Sequence, residues 1–307
     1  MRPLKKIKMK RCLMALSLLS LAFLGSCKKD DDTSLAPPRD YGEQYVTDKA
    51  DLENYLNTHY IVSVDEDFTI VIDSITEDNP QTSIWDQTEY PLMTKVVTFE
   101  GVDHTLYYLV LNEGVGENPT KYDQVKVAYR GWRLDDVQFD YNPYPENFNS
   151  LFGLITGWQE IIPLFKTGVY NDIPGDPNPA NFTDYGAGVM FLPSAFGYYD
   201  SAQVNIPSYS PLVFSFKLYD INIFDSDGDG IPNRYEIDPE DGDILTYDTD
   251  EDGVPNYLDA DDDNDGYPTR DEITIPGTDE VYDFENIPTC STGVKLHLDS
   301  ACHQEID

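Results

Sequence analysis

Tyr122-Asp123-Gln124-Val125-Lys126-Val127-Ala128-Tyr129-Arg130-Gly131-Trp132 alternates apolar and polar residues, the period of a strand with one face in a core. Asp135-Asp136 supplies turn residues and Val137-Gln138-Phe139-Asp140 resumes the alternation, so the stretch reads as a β-hairpin. Outward from it, residues 106–224 form strand-rich segments broken by Gly, Pro and Asn, with one helix predicted over 158–165. That is an α+β pattern. Upstream, Leu52, Tyr55, Leu56 and Tyr60 stand at helical spacing and predict a helix over 48–60, with Thr47 or Asp48 as N-cap. Residues 60–64, 67–75, 90–99 and 104–111 are rich in β-branched side chains. The segment 46–105 is therefore expected to be an extension whose strands join or cover the sheet of 106–224.

The chain has 307 residues and a formal net charge of −37, and the basic leader makes the rest more acidic still. Without Arg2, Lys5, Lys6, Lys8, Lys10 and Arg11 the charge would be about −43. Such a field repels phosphate backbones, which argues against nucleic-acid binding and makes cations the natural partners. The apolar run 12–24 is too short to span about 30 Å of hydrocarbon and reads as the core of an export signal, 1–26. Leu24-Gly25-Ser26-Cys27 resembles the lipobox of bacterial lipoproteins, which makes Cys27 the expected lipidation site and the membrane a partner through the lipid. Lys28-Lys29-Asp30-Asp31-Asp32 resembles the surface-export signal of Bacteroidota lipoproteins, implying an outer-membrane lipoprotein that is surface-exposed, with the periplasm as the alternative. Residues 27–45 are polar, contain Pro37-Pro38 and read as a flexible tether. In an exported chain the remaining cysteines, Cys290 and Cys302, are free to form a disulfide in the tail, 273–307; a metal site with His297 and His303 is the competing reading.

The hairpin residues resemble the FKBP-type peptidyl-prolyl cis-trans isomerases, whose signature runs D-x-V-x-V-x-Y-x-G-x-L-x-D-G-x-x-F-D. Leu154-Ile155-Thr156-Gly157-Trp158-Gln159-Glu160 is similar to the family's V-I-x-G-W-x-E at the start of its helix. Pro193-Ser194-Ala195-Phe196-Gly197-Tyr198 is similar to its tyrosine-bearing loop, and Ile206-Pro207 with Ser210-Pro211-Leu212-Val213-Phe214 to its last loop and strand. Leu106-Tyr107-Tyr108-Leu109-Val110 with Glu113-Gly114-Val115-Gly116 fits its opening strand. The resemblance implies a twisted antiparallel sheet wrapped on one helix, and a prolyl pocket formed by Tyr129, Phe139, Asp140, Leu154, Ile155, Trp158, Tyr198, Ile206 and Phe214. Trp158 would be its floor and Phe148 a further wall. Tyr198 OH and the Ile155 N–H would hold substrate carbonyls. No cofactor is needed, because rotation about an X–Pro bond crosses a barrier of about 18–20 kcal/mol without making or breaking a bond. The sequence departs from the family at Asp136, Ile161 and Tyr199, where glycine is usual, and those departures are expected to alter turns. An insertion over 169–186 is expected to shade the cleft.

Residues 225–272 hold 19 acidic side chains and two basic ones, too little apolar content for a core of their own. Asp225, Asp227, Asp229 and Glu236 occupy positions 1, 3, 5 and 12 of a loop with Gly230 at position 6, the oxygen spacing of a calcium loop. The pattern recurs with Asp248, Asp250, Asp252 and Asp259, and with Asp261, Asp263, Asp265 and Glu272. Asn233 and the carbonyls of Ile231, Val254 and Tyr267 are further expected ligands. Pro232, Pro255 and Pro268 at position 8 oppose a following helix, so paired EF-hands do not fit. Loop starts 23 and then 13 residues apart resemble thrombospondin type 3 repeats, which implies structural Ca²⁺. Taken together, the sequence points to a lipid-anchored isomerase that helps proline-containing exported polypeptides fold. A non-catalytic binding module using the same pocket, or an accessory part of a surface assembly, are the alternatives.

Overall fold

Residues 37–172 and 181–303 are described by the structure, a computed structural model. The expected leader, Cys27, most of the tether and residues 173–180 of the insertion lie outside them. The first element, α1 (Tyr41–Thr58), begins seven residues before the predicted helix and includes the last five residues of the expected tether. Its N-cap is Asp40, whose side chain accepts the Glu43 N–H at 3.0 Å. Apolar spacing does not reveal this first turn because aromatic residues hold it. Tyr41 stacks on Tyr199 with ring centroids 4.2 Å apart, and the Tyr45 hydroxyl accepts the Thr105 N–H at 2.7 Å.

Beyond α1, β1 (His59–Val64) and β2 (Ile70–Ser74) form an antiparallel hairpin of their own. There follow β3 (Leu92–Phe99), β4 (Val102–Asn112), β5 (Gln124–Arg133), β6 (Gln138–Asn142) and β7 (Asn149–Ser150). Then come α2 (Thr156–Ile161), a small hairpin of β8 (Val169–Asn171) and β9 (Asn181–Thr183), and the long strands β10 (Gly186–Leu192) and β11 (Leu212–Asn222). The main sheet is antiparallel and seven-stranded, in the order β3-β4-β10-β11-β5-β6 with β7 paired to β5.

Alternation along these strands builds two cores. Met190 and Leu192 face α2, together with Val125, Val127, Trp158, Phe165, Phe214 and Phe216. Val189 and Phe191 face the other way and meet Leu52, Tyr55 and Leu56 of α1, with Leu109, Trp132 and Val213. Every residue of β10 is buried because both faces of the sheet are covered. A sheet wrapped on one helix thus describes only one face; α1 and the β1–β2 hairpin cover the second. Burial of Leu52 and Leu56 stabilises this second layer by about 1.5–3 kcal/mol each. At its centre the buried Trp132 Nε1–H donates to Tyr55 OH at 3.0 Å.

Two of the three departures from glycine sit where α1 is attached. Asp136 and Tyr199 keep the left-handed backbone a glycine would give, at φ 62° and 47°. The turns are therefore preserved, and the side chains are put to use. Asp136 lies 3.4 Å from Tyr55 OH and 3.6 Å from His59 Nε2; Tyr199 stacks on Tyr41 and its hydroxyl donates to the Arg39 carbonyl. A tyrosine in this conformation costs on the order of 1 kcal/mol, which the stacking and the hydrogen bond oppose. The third departure, Ile161, belongs to no turn: it lies in α2, fully buried in the core.

After β11 the chain runs through the three acidic loops. Pro232, Pro255 and Pro268 do not prevent a following helical turn. Each caps one, at Asn233–Tyr235, Asn256–Leu258 and α3 (Thr269–Glu272), because a fixed φ suits the start of a helix and opposes only its interior. The boundary expected at residue 272 is not a division either. Ile231 of the first loop packs with Ile273 and Ile287 of the tail, flanked by Val281, Tyr282 and Phe284, and Cys290 and Cys302 are joined in a disulfide with Cα atoms 6.1 Å apart. This unit is held to the sheet at the foot of β5. The Arg234 guanidinium pairs with Asp123, which is fully buried and also accepts the Thr120 N–H and hydroxyl. Beside it, Tyr122 OH donates to the Gly242 carbonyl at 2.7 Å.

Candidate active site and acidic loops

All nine residues expected to form the prolyl pocket line one cleft of about 370 Å³, a size suited to a single ring and its flanking peptide groups. β5 supplies Tyr129, β6 Phe139 and Asp140, the start of α2 Leu154, Ile155 and Trp158, the following loops Tyr198 and Ile206, and β11 Phe214. The rings meet edge to face. Trp158 stands 5.1 Å from Tyr129 and 5.4 Å from Phe214, and Phe139 stands 5.4 Å from Phe214, all at interplanar angles of 80° or more. Two glycines of the motif explain how they come so close. A Cβ at Gly131 would lie 2.5 Å from the Phe139 ring, and one at Gly157 would lie 2.4 Å from Leu192.

Tyr129 OH donates to Asp140 Oδ2 at 2.7 Å, while Asp140 Oδ1 accepts the Tyr141 N–H. Burial, with the Asp140 charge beside it, pushes the Tyr129 phenol well above its ordinary range, so it remains a donor. Ile155 is the N-cap residue of α2. The rim adds four residues that sequence reasoning did not single out, Asn142, Asn149, Gln203 and Val204; they belong to no motif and are found only through proximity. Phe148 is not a wall. Its ring lies under Lys126 Nζ, 4.9 Å away, outside the cleft. Nor does any described residue of the 169–186 insertion line the cleft: Phe182 instead stacks on Tyr219.

The loop carrying Tyr198 is braced from the opposite layer. Asp48, read in sequence as a possible N-cap, lies inside α1 and is buried; its Oδ2 accepts both the Ser194 N–H at 2.8 Å and the Ser194 hydroxyl at 2.6 Å. Gln44 donates to its other oxygen. Burial pushes the Asp48 carboxyl up, and the bonds from Ser194 and Gln44 work against that rise.

The three acidic loops share one internal architecture. In each, the N–H at position 6 donates to the first carboxylate, from Gly230 to Asp225, Gly253 to Asp248 and Gly266 to Asp261, at 2.9–3.2 Å. Those glycines have φ of 92–104°, a range strained for any side chain. The side chain at position 9 clamps the residue at position 2. Asn233 binds Ser226 and Asn256 binds Thr249 through N–H and hydroxyl, and Thr269 accepts the N–H of Asp262. Asn233, expected as a metal ligand, therefore spends its amide on the loop itself. Carboxylates at positions 1, 3 and 5 converge in every loop, with oxygens within 4.8 Å of one another. Asp227 Oδ2, Asp248 Oδ1, Asp250 Oδ2, Asp261 Oδ1, Asp263 Oδ2 and both Glu272 oxygens are buried without a hydrogen-bond partner. Burial, reinforced by neighbouring carboxylates, pushes Asp229 up to about 8 and Glu272 up to about 9. Oxygen-only donors of this density, orphaned and close together, fit a hard divalent cation.

Comparison with known proteins agrees with the cleft. The chain is 30% identical over 128 residues to the FKBP-type 22 kDa peptidyl-prolyl cis-trans isomerase of Escherichia coli, covering 40% of this chain and 54% of that protein. It is 32% identical to FkpA, an FKBP-type isomerase, over 120 residues in E. coli and 136 in Aeromonas hydrophila, covering 38% and 42% of this chain and 37% and 44% of the relatives. The chain thus spans about half the length, or less, of these curated relatives, and about 40% of it is homologous to FKBP-type isomerases. Among solved structures, E. coli FkpA matches at 28% identity and a TM-score of 0.31, covering 41% of this chain and 51% of FkpA. A peptidyl-prolyl cis-trans isomerase of Pseudomonas syringae matches at 16% and 0.35, covering 61% of this chain and 99% of its own. Separately, the family model for the C-terminal region of BamM matches residues 227–297, which take in all but the first two residues of the acidic loops and most of the tail.

Proposed function

We propose that this chain is an active peptidyl-prolyl cis-trans isomerase, exported, lipid-anchored through Cys27 at a bacterial outer membrane, and stiffened at its C-terminal end by calcium. The observation that carries the catalytic reading is the convergence of the nine residues on one aromatic cleft. An X–Pro imide entering it loses water on both faces, which favours the twisted, less polar state over the planar ground state. Trp158, Phe139 and Phe214 grip the prolyl ring while the preceding carbonyl turns. Asp140, oriented by Tyr129, acts through its charge and takes no proton-transfer step. Tyr198 OH and the Ile155 N–H hold the flanking carbonyls. Proline-containing exported polypeptides are the substrate class, and the acidic loops hold structural calcium through Asp225, Asp227, Asp229 and Glu236 and their counterparts in the second and third loops.

A proline-isomerisation assay on short X–Pro peptides tests the reading. Trp158→Ala is expected to abolish measurable turnover and to lower stability by about 3–5 kcal/mol; Asp140→Asn, at an exposed position, is expected to cut turnover about ten-fold, a loss of about 1.4 kcal/mol of electrostatic transition-state stabilisation, and leave stability unchanged. Rates in wild type and both variants equal to that of the uncatalysed peptide would leave a binding module without catalysis.

A further inference from the structure

We propose that Asp262 of the third loop is a calcium ligand of the first loop, joining Asp229 and Glu236 in a site shared between the two. This deepens the calcium reading above and depends on it. The loop pattern places no ligand at position 2: Ser226 and Thr249 stand there, and each gives its hydroxyl to the position 9 clamp. In the third loop the chemistry is exchanged. Thr269 provides the hydroxyl from position 9 and receives the backbone N–H of Asp262. The clamp is thereby made through the backbone N–H of Asp262, and its carboxylate, close to the Thr269 hydroxyl, is left for another purpose.

That carboxylate reaches the first loop. Asp262 is 2% exposed and neither oxygen has a hydrogen-bond partner. One of its oxygens lies within 4.8 Å of oxygens of both Asp229 and Glu236, themselves 2% exposed. Asp229 Oδ2 and both oxygens of Glu236 are likewise without partners. Oxygens around a calcium ion at 2.3–2.6 Å are separated by up to about 5 Å, so this spacing fits one coordination sphere. Three buried carboxylates with no lysine, arginine or histidine ion-paired to any of them, among the described residues, call for a cation. The donor set contains only oxygen, which suits calcium better than zinc or copper. An ion held here ties together loops whose first residues are 36 apart in sequence.

The test uses the full chain and calcium alone as the probe, with titration calorimetry and hydrogen exchange at saturating calcium. Asp262→Ser restores the residue type of the first loop, and Asp262→Asn keeps the shape of the side chain and removes its charge. Both variants are expected to weaken one calcium site at least ten-fold. Both are also expected to lose exchange protection at residues 225–236, in the loop that was not mutated. Wild-type affinity and wild-type protection at 225–236 in both variants would overturn the shared site while leaving calcium binding within the loops intact. No calcium binding by the wild type would overturn both. If Asp262→Ser fails to fold, Asp262→Asn decides.

Discussion

The cleft and the acidic loops both hold polar atoms at fixed spacing, but they do so with opposite materials. Around the cleft the scaffold is side-chain volume: Trp158, Phe214 and Phe216 are almost fully buried, and Asp140 is positioned by one phenol on a strand locked into a seven-stranded sheet. In the loops the scaffold is the backbone, folded back on its own carboxylates, with Ile231, Ile273 and Ile287 as the centre of a small core. A site built from rings needs no counter-ion to hold its shape. A site built from like charges is stable only while something neutralises them.

The sharpest way to break this comparison is to remove calcium. With a chelator present, proteolysis within 225–272 is expected to accelerate at least a hundred-fold, while turnover at the cleft changes less than two-fold. Equal sensitivity of both regions would show that they fold as one. The next largest effect is expected at the joint between them. Asp123→Asn leaves the largely buried Arg234 without its carboxylate and should cost about 3 kcal/mol in chemical denaturation. It should also uncouple the melting of 225–303 from that of the sheet. The smallest effect is expected at Asp48. Asp48→Asn weakens the brace on Ser194 and should cost about 1–2 kcal/mol, raising KM for X–Pro peptides more than it lowers kcat, because it loosens the Tyr198 loop and leaves the aromatic floor intact.

The parts of this molecule that could be read from sequence are those in which one residue type serves one local geometry. The β5–β6 hairpin is written in alternation, and the calcium pattern in glycines that must take positive φ. The second layer was expected as an extension that joins or covers the sheet, but its attachment was hidden because the decisive contacts are polar or distant: Asp48, legible only as an N-cap candidate, meets Ser194 across 146 residues. Phe148 illustrates the reverse, an aromatic neighbour of the motif that the short β7 strand carries out of the cleft. Asn233 has the composition of a ligand and the geometry of a clamp, a distinction that exists only in three dimensions. Asp262 was overlooked because it occupies a position at which the loop pattern specifies nothing.

Asp136 and Tyr199 bear on how such a protein can be divided. Both are turn positions at which α1 is fastened, and the sheet face beneath α1 carries Leu109, Trp132, Val189, Phe191 and Val213. A gene fragment cut to the isomerase motif alone, 106–224, would leave that face uncovered and yield insoluble material. The motif is not a free-standing cassette here: the compact unit that carries it begins at Arg39.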